Sequence, residues 1–204
     1  PHRNHISGDG NYTTLGGGYD NYAEDEAATC AGGYNNYAEG EWSFVGGGKN
    51  NQCVGSGSTI CGGKENESCD NYSTIGGGAY NDACYYATVG GGLSNVAEGT
   101  YSSILGGMKN HAEGDYATIP GGYANVAAGA YSLAAGRGAR ALHDGCFVWS
   151  DSTTNRANSS TLTNQFLVRA SGGVRFYSNP GQTAGVRLNP GSGSWANLSD
   201  RAVK

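Results

Sequence analysis

Asn95-Val96-Ala97-Glu98-Gly99-Thr100-Tyr101-Ser102-Ser103-Ile104-Leu105-Gly106-Gly107-Met108-Lys109 runs directly into Asn110-His111-Ala112-Glu113-Gly114-Asp115-Tyr116-Ala117-Thr118-Ile119-Pro120-Gly121-Gly122-Tyr123-Ala124. The two stretches share Asn in the first slot, Ala in the third, Glu in the fourth, Gly in the fifth, Tyr in the seventh, Ile in the tenth and a Gly pair near the end. Moving outward, the Asn slot recurs at Asn21, Asn36, Asn51, Asn66 and Asn81, and again at Asn125. The step is fifteen residues each time except from Asn81 to Asn95, where one residue is missing. A unit this short cannot bury a face of its own. Copies of fixed length that must stack are the coils of a solenoid.

Each unit predicts two extended pieces and two corners. Tyr72-Ser73-Thr74-Ile75, Tyr101-Ser102-Ser103-Ile104 and Tyr116-Ala117-Thr118-Ile119 have the aromatic, hydroxylic and β-branched character of a strand. Asn95-Val96-Ala97-Glu98 represents the other piece. Gly pairs such as Gly62-Gly63 and Gly77-Gly78 mark one corner and Gly99, Gly114 and Gly129 the other, both expected to use positive φ. At about 3.3 Å per residue a coil holds two strands of roughly four or five residues and two turns. The fold class that follows is all-β, a parallel β-roll solenoid, flattened and two-sided.

Stacking turns every slot into a column. Leu15, Cys30, Val45, Ile60, Ile75, Val89, Ile104 and Ile119 form one apolar column; Ala23, Ala38, Cys53, Ser68, Ala83, Ala97, Ala112 and Ala127 form another, and both are expected to face inward. Such a core is thin. Burying one Ile yields about 2–3 kcal/mol, while ordering each Gly-rich residue costs about 1–2 kcal/mol. Several chains sharing a larger core is therefore the expected state.

The outer columns supply the binding candidates. Tyr72, Tyr101, Tyr116 and Tyr131 occupy the seventh slot, and Thr74 and Thr118 the ninth. The first reading of the Tyr column is a structural ladder or subunit contact, at about 0.5–1.5 kcal/mol per stacked pair; a glycan- or ice-binding face is the alternative. Glu24 above Glu39 and Glu98 above Glu113 read as a solvated edge.

Composition narrows the rest. The 204 residues include 37 Gly and 4 Pro, without the three-residue period of collagen. Net charge is −5 with no basic patch in the repeats, so nucleic acid is not an expected partner. No apolar run approaches the roughly 18 residues of a membrane span. The 6 Cys include no CxxC pair and no Cys/His zinc spacing, so neither metal nor cofactor is read. Cys69 and Cys84 share the fourth slot on successive coils, about 4.8 Å apart, and whether they are oxidised stays open at this level. Gly46-Gly47-Gly48-Lys49 lacks the Ser or Thr of a phosphate loop, and His143-Asp144 has no partnered nucleophile at a recognisable spacing, so an enzyme is not expected.

After residue 136 the repeat stops. Three regions follow from this: a roll over 1–136, a capping and transition segment with a loop over 137–164, and a β-rich stalk over 165–204. Phe147, Val148 and Trp149 are the residues expected to close the open end of the roll. Gln165-Phe166-Leu167-Val168-Arg169-Ala170, Gly173-Val174-Arg175-Phe176-Tyr177 and Gly185-Val186-Arg187-Leu188 read as short strands.

The Asn-x-Ala-x-Gly and Tyr-Ser-x-Ile-x-Gly strings resemble the head repeats of trimeric autotransporter adhesins over about two thirds of the chain. The resemblance implies a left-handed roll, three chains around one axis, and an extracellular adhesive or spacer role on a cell surface, appendage or virion fibre, with a surface receptor or glycan as partner. The chain departs from those heads in having fifteen residues per unit rather than fourteen, and in carrying Tyr where they favour Asn. The final stretch, Trp195-Ala196-Asn197-Leu198-Ser199-Asp200-Arg201-Ala202-Val203-Lys204, resembles the junction to the intramolecular chaperone of endosialidase-type phage tail spikes. In that family the chaperone trimerises the fibre and then cuts itself off, with Ser as nucleophile and a Lys five residues on as its base. Ser199 and Lys204 match those two places. The resemblance therefore implies a self-cleavage dyad, expected to be an inert remnant where the chain ends at Lys204.

Overall fold

The computed structural model describes residues 3–7 and 11–198. Every regular element among them is a β-strand. Two parallel sheets, of 11 and 12 strands, make a solenoid of about 11 turns. One sheet takes the second and third slots of every coil: Asp82 pairs with Val96, Val96 with His111, and His111 with Val126. The other takes the ninth and tenth slots, Thr74 pairing with Thr88, Thr88 with Ser103, and Ser103 with Thr118. A line of single parallel bridges, from Tyr19 through Lys49, Lys64 and Leu93 to Tyr123, runs up the corner between them.

The columns expected to be apolar are inward: Ile60, Ile75, Ile104 and Ile119 and Ala23, Ala38, Ala97 and Ala112 are all fully buried. Two further columns share the interior, and the strand pattern alone does not place them. Ser43, Ser58, Ser73 and Ser102 of the eighth slot are buried, and so is every Asn of the first slot from Asn21 to Asn125. The hydrogen-bonded strands are correspondingly shorter than expected, two residues each, as at Val96–Ala97 and Ser103–Ile104. The remainder of each coil is held by side chains and corners.

The Asn side chains form a continuous ladder. Asn66 is typical. Its Nδ2 donates to Gly62 O at 3.0 Å, Gly78 O at 3.1 Å and Asn51 Oδ1 at 3.1 Å. Its Oδ1 accepts from the backbone N–H and the Nδ2 of Asn81, at 3.0 and 3.1 Å. One amide thus satisfies backbone carbonyls of its own coil and of the next, and passes the pattern upward. A buried polar group is tolerated only when its bonds are met, and here they are met by the translational copy of the same residue.

The corners divide the work differently from the sequence expectation. At the Gly pair the expected positive φ is present, as at Gly77 (146°) and Gly78 (85°). The corner after the third slot has its left-handed residue at the seventh slot instead: Tyr72, Tyr101, Tyr116 and Tyr131 have φ between 56° and 58°. Gly99 and Gly114 are there for closeness. A Cβ on Gly99 would meet the backbone of Gly114, the corresponding corner of the next coil. In a regular coil Ser102 N–H bonds back to Gly99 O at 2.9 Å, a four-residue turn with a left-handed third residue where Gly or Asn is the usual choice. In the short coil, Tyr85 and Tyr86 are both left-handed and Ala87 N–H bonds to Cys84 O at 2.8 Å. The missing residue is absorbed by tightening this one corner, so neither sheet loses register.

Ser102 Oγ is buried with no hydrogen-bond partner. The same slot holds Ala87 on the coil below and Ala117 on the coil above, both fully buried. Ser102→Ala is expected to stabilise the protein by about 1 kcal/mol, since it removes an unmet hydroxyl without opening a cavity. An unchanged or lower urea midpoint for the variant would show that the hydroxyl is satisfied in solution.

Coil stacking continues beyond residue 136, where the sequence repeat ends. Leu133–Arg137 pairs with Phe147–Ser150, which pairs with Phe166–Arg169, all in parallel. Ala139–Ala141 pairs with Asn158–Ser159 in the other sheet. Val148 is fully buried on the axis of the Ile column, while Phe147 and Trp149 point outward on the same strand. Asp151 ties the last turns together: it accepts from Ser171 N–H at 2.6 Å and Thr153 Oγ1 at 2.7 Å, and pairs with Arg169 at 3.4 Å. These donors hold its carboxyl well below the usual range, the Ser171 backbone N–H first among them. A separate three-stranded antiparallel sheet follows, Val174–Tyr177, Gly185–Leu188 and Trp195–Asn197. The last of these strands is not legible in the sequence pattern.

Candidate functional site

Three surfaces carry the chemistry of this molecule: the Tyr corner, the outer face around Cys69 and Cys84, and the aromatic end beyond residue 146. The Tyr corner is a stacked column. Ring centroids lie 5.4 Å apart from Tyr72 to Tyr86, 5.0 Å to Tyr101, 5.3 Å to Tyr116 and 5.0 Å to Tyr131. Four of the predicted binding residues are therefore brought together, with Tyr86 between Tyr72 and Tyr101. The missing residue in that coil hides Tyr86 from a strict fifteen-residue alignment, although the doubled Tyr85-Tyr86 is its trace. Thr74 and Thr118 lie two residues further along their coils, on the outer side of the adjoining sheet and half-buried.

The ring geometry decides what this column can meet. The planes are within 30° of parallel throughout, and Tyr86, Tyr101 and Tyr116 each have a ring on both faces, while Tyr72 and Tyr131 end the column with one stacked face each. A sugar that stacks on one of the inner faces would have to force neighbouring rings away from each other to do so. A left-handed non-Gly residue costs roughly 1–2 kcal/mol, and each stacked pair returns about 0.5–1.5 kcal/mol. Stacking thus accounts for bulky Tyr in a position that suits Gly.

The second surface is the outer face of the sheet formed by the second and third slots. Cys69 and Cys84 are joined as a disulfide between successive coils, with Cα atoms 5.1 Å apart. Asp82 lies beside them and is the register partner of Glu67. Burial, with Glu67 and Glu98 nearby, pushes the Asp82 carboxyl up to about 6. Two coils further, His111 bridges two carboxylates, Nε2 to Glu98 at 3.1 Å and Nδ1 to Glu113 at 3.0 Å. The Glu98–Glu113 edge is thus bridged by a residue that sequence reading takes for a plain surface substituent.

At the third surface, Phe147, Trp149, Phe166, Val168, Val174, Phe176, Leu188 and Trp195 line an open apolar groove of about 460 Å³. Phe147 stacks on Phe166 at 4.9 Å, and Phe176 meets Trp195 at 5.7 Å. The groove lies between the last parallel strands and the antiparallel sheet.

His143 acquires a partner that its spacing conceals: its Nδ1 lies 2.9 Å from Ser160 Oγ. Ser160 is buried, and the same oxygen accepts the Leu142 N–H at 2.9 Å. Asp144 turns away, taking the Ala130 N–H at 2.9 Å. This is a structural contact across the last coils, with the hydroxyl inaccessible to a substrate. Ser199 and Lys204, the two residues of the implied self-cleavage dyad, lie outside the described residues. No helix is long and apolar enough to cross a membrane among the described residues. No protein-family model matches the chain, and no curated protein matches it.

Proposed function

We propose that this chain is a structural segment of a homotrimeric extracellular fibre, a rigid spacer or adhesive head. The observation that carries this reading is the burial pattern of the C-terminal part. From residue 161 to residue 198 no residue is buried, although the segment contains four strands and the side chains of Phe166, Leu167, Val168, Phe176, Leu188 and Trp195. A small sheet with no buried residue cannot offset the entropy of ordering it and needs a second layer. Symmetry-related copies of the same segment supply that layer, with each groove covered by the aromatic residues of the next chain.

The roll suits the spacer role. About 11 turns at roughly 4.8 Å each give a rod of about 50 Å. Its Asn ladder and continuous sheets leave no joint at which it would bend. The likeness to trimeric adhesin heads and to the chaperone junction of phage tail spikes belongs to the same reading: a roll, a trimerising stalk, then the remnant of a self-cleavage dyad at Ser199 and Lys204. The alternative, a solenoid that recognises glycan or ice through its Tyr and Thr columns, is less favoured because the three inner rings of the Tyr column have both faces covered.

Sedimentation equilibrium of the whole chain tests the proposal. A mass three times the 20.9 kDa chain is expected, and Phe166→Asp or Trp195→Asp should dissociate it with the β-sheet circular dichroism of the roll retained. A monomer at micromolar concentration, or a trimer indifferent to both substitutions, would end it.

A further inference from the structure

We propose that the reduced chain holds a soft divalent metal ion, zinc(II) by its chemistry, between the thiolates of Cys69 and Cys84 and the carboxylate of Asp82, so that metal and disulfide are alternative cross-links at one place. The donor atoms of these three residues all lie within 4.8 Å of one another. Cys84 Sγ is 3.6 Å from Asp82 Oδ1. The arrangement follows from the register of the roll. Asp82 and Cys84 are two residues apart on an extended piece and project from the same outer face. Cys69 N–H bonds to Ala83 O at 3.0 Å, which aligns the coil below with them.

Two thiolates and one carboxylate, with solvent in the fourth place, match the tetrahedral, sulfur-tolerant chemistry of zinc, whose bonds are about 2.3 Å to sulfur and 2.0–2.2 Å to oxygen. Calcium and magnesium, which take oxygen ligands, would not use the cysteines. Cys69 and Asp82 are partly exposed, so an ion can enter from solvent without unfolding. The repeat register sets Cys69 and Cys84 on neighbouring coils, but a fifteen-residue separation is no recognisable metal spacing, and the part of Asp82 shows only in the folded roll. The site's place is also mechanical. Cys84 begins the one tightened corner of the roll, and either cross-link clamps that coil to the one beneath it.

The chemistry balances with an external dithiol as reductant. It delivers two electrons and two protons, the Cys69–Cys84 bond breaks into two thiols, and the reductant closes its own disulfide. The metal ion then displaces both thiol protons to solvent and binds the two thiolates.

Cobalt(II) titration of the whole chain is the test, read by the thiolate-to-cobalt charge-transfer absorption and reversed by competing zinc. The dithiol-treated protein is expected to bind one equivalent, and the oxidised protein none. Cys69→Ser with Cys84→Ser should abolish the band, Asp82→Asn should weaken binding on the order of tenfold or more, and Cys61→Ser, which changes the one exposed free cysteine among the described residues, should leave it intact. If the double variant misfolds by circular dichroism, reduced against oxidised wild-type protein decides alone. The proposal is overturned if the reduced chain shows no thiolate band, if the band is as strong in the oxidised chain, or if it survives loss of Cys69 and Cys84.

Discussion

Asn66→Leu is expected to destabilise the roll by at least about 4 kcal/mol, at the extreme end of single substitutions. Leu is close to Asn in size and more apolar, so a core argument built on hydrophobicity alone would expect little change or a gain. The ladder reverses that. Removing the amide leaves Gly62 O without its donor and the Asn81 N–H without its acceptor, while Gly78 O, Asn51 Oδ1 and Asn81 Nδ2 each lose one bond and keep the others, from the Lys64 N–H, from the backbone N–H of residue 66, and to Gly77 O and Gly92 O. Each lost bond is worth about 0.5–1.5 kcal/mol, and each buried group left unmet costs about 1–3 kcal/mol. Asn66→Asp keeps the shape and the acceptor but sets a buried carboxylate oxygen against Gly62 O, Gly78 O and Asn51 Oδ1, and at neutral pH should cost at least as much as Leu. Urea unfolding followed by circular dichroism checks this. The slopes must match between variants, because a stacked array can unfold in segments. A loss below about 1 kcal/mol for Asn66→Leu would mean that the ladder is not formed in solution.

Two adjacent glycines of one motif should give opposite results. Gly107→Ala places a Cβ against Gly122 O and 2.8 Å from Asn110 Nδ2, at a φ of +91°. The next coil and the Asn ladder would both have to move, and the left-handed backbone adds roughly 1–2 kcal/mol. We expect a total of about 4 kcal/mol or more, comparable with breaking a buried network. Gly106→Ala meets nothing within 4 Å and has no positive φ. It should be neutral or stabilising by about 0.4–1 kcal/mol, through the reduced freedom of the unfolded chain. Equal effects for the two, measured by thermal denaturation, would refute this division of labour within the pair.

These contrasts explain how much of the molecule is legible in its sequence. The period, the parallel stacking and the inward Ile and Ala columns follow from spacing alone, because translation by one coil repeats every environment. The role of Asn is not legible in the same way. Its recurrence marks the repeat, but nothing in the spacing says whether its amide faces water or the axis. That depends on whether carbonyls such as Gly62 O and Gly78 O converge on it. The Gly residues show the same limit: Gly77-Gly78 serves positive φ, while Gly99 serves a backbone approach that only the neighbouring coil defines.

The candidate surfaces divide along similar lines. The Tyr column was visible except for Tyr86, hidden by the short coil, yet the direction of its ring faces required the corner's left-handed backbone. The continuation of the sheets through Phe147–Ser150 and Phe166–Arg169 could not be read from the lost repeat, since strand pairing constrains backbone positions and tolerates new side chains outside. Length and recurrence of the unit determined the solenoid, because a fifteen-residue segment has no other way to bury itself. Which polar groups lie inside, which corner carries the strain, and that Asp82 joins Cys69 and Cys84 at one spot were decided by tertiary stacking, since each depends on atoms a full coil away.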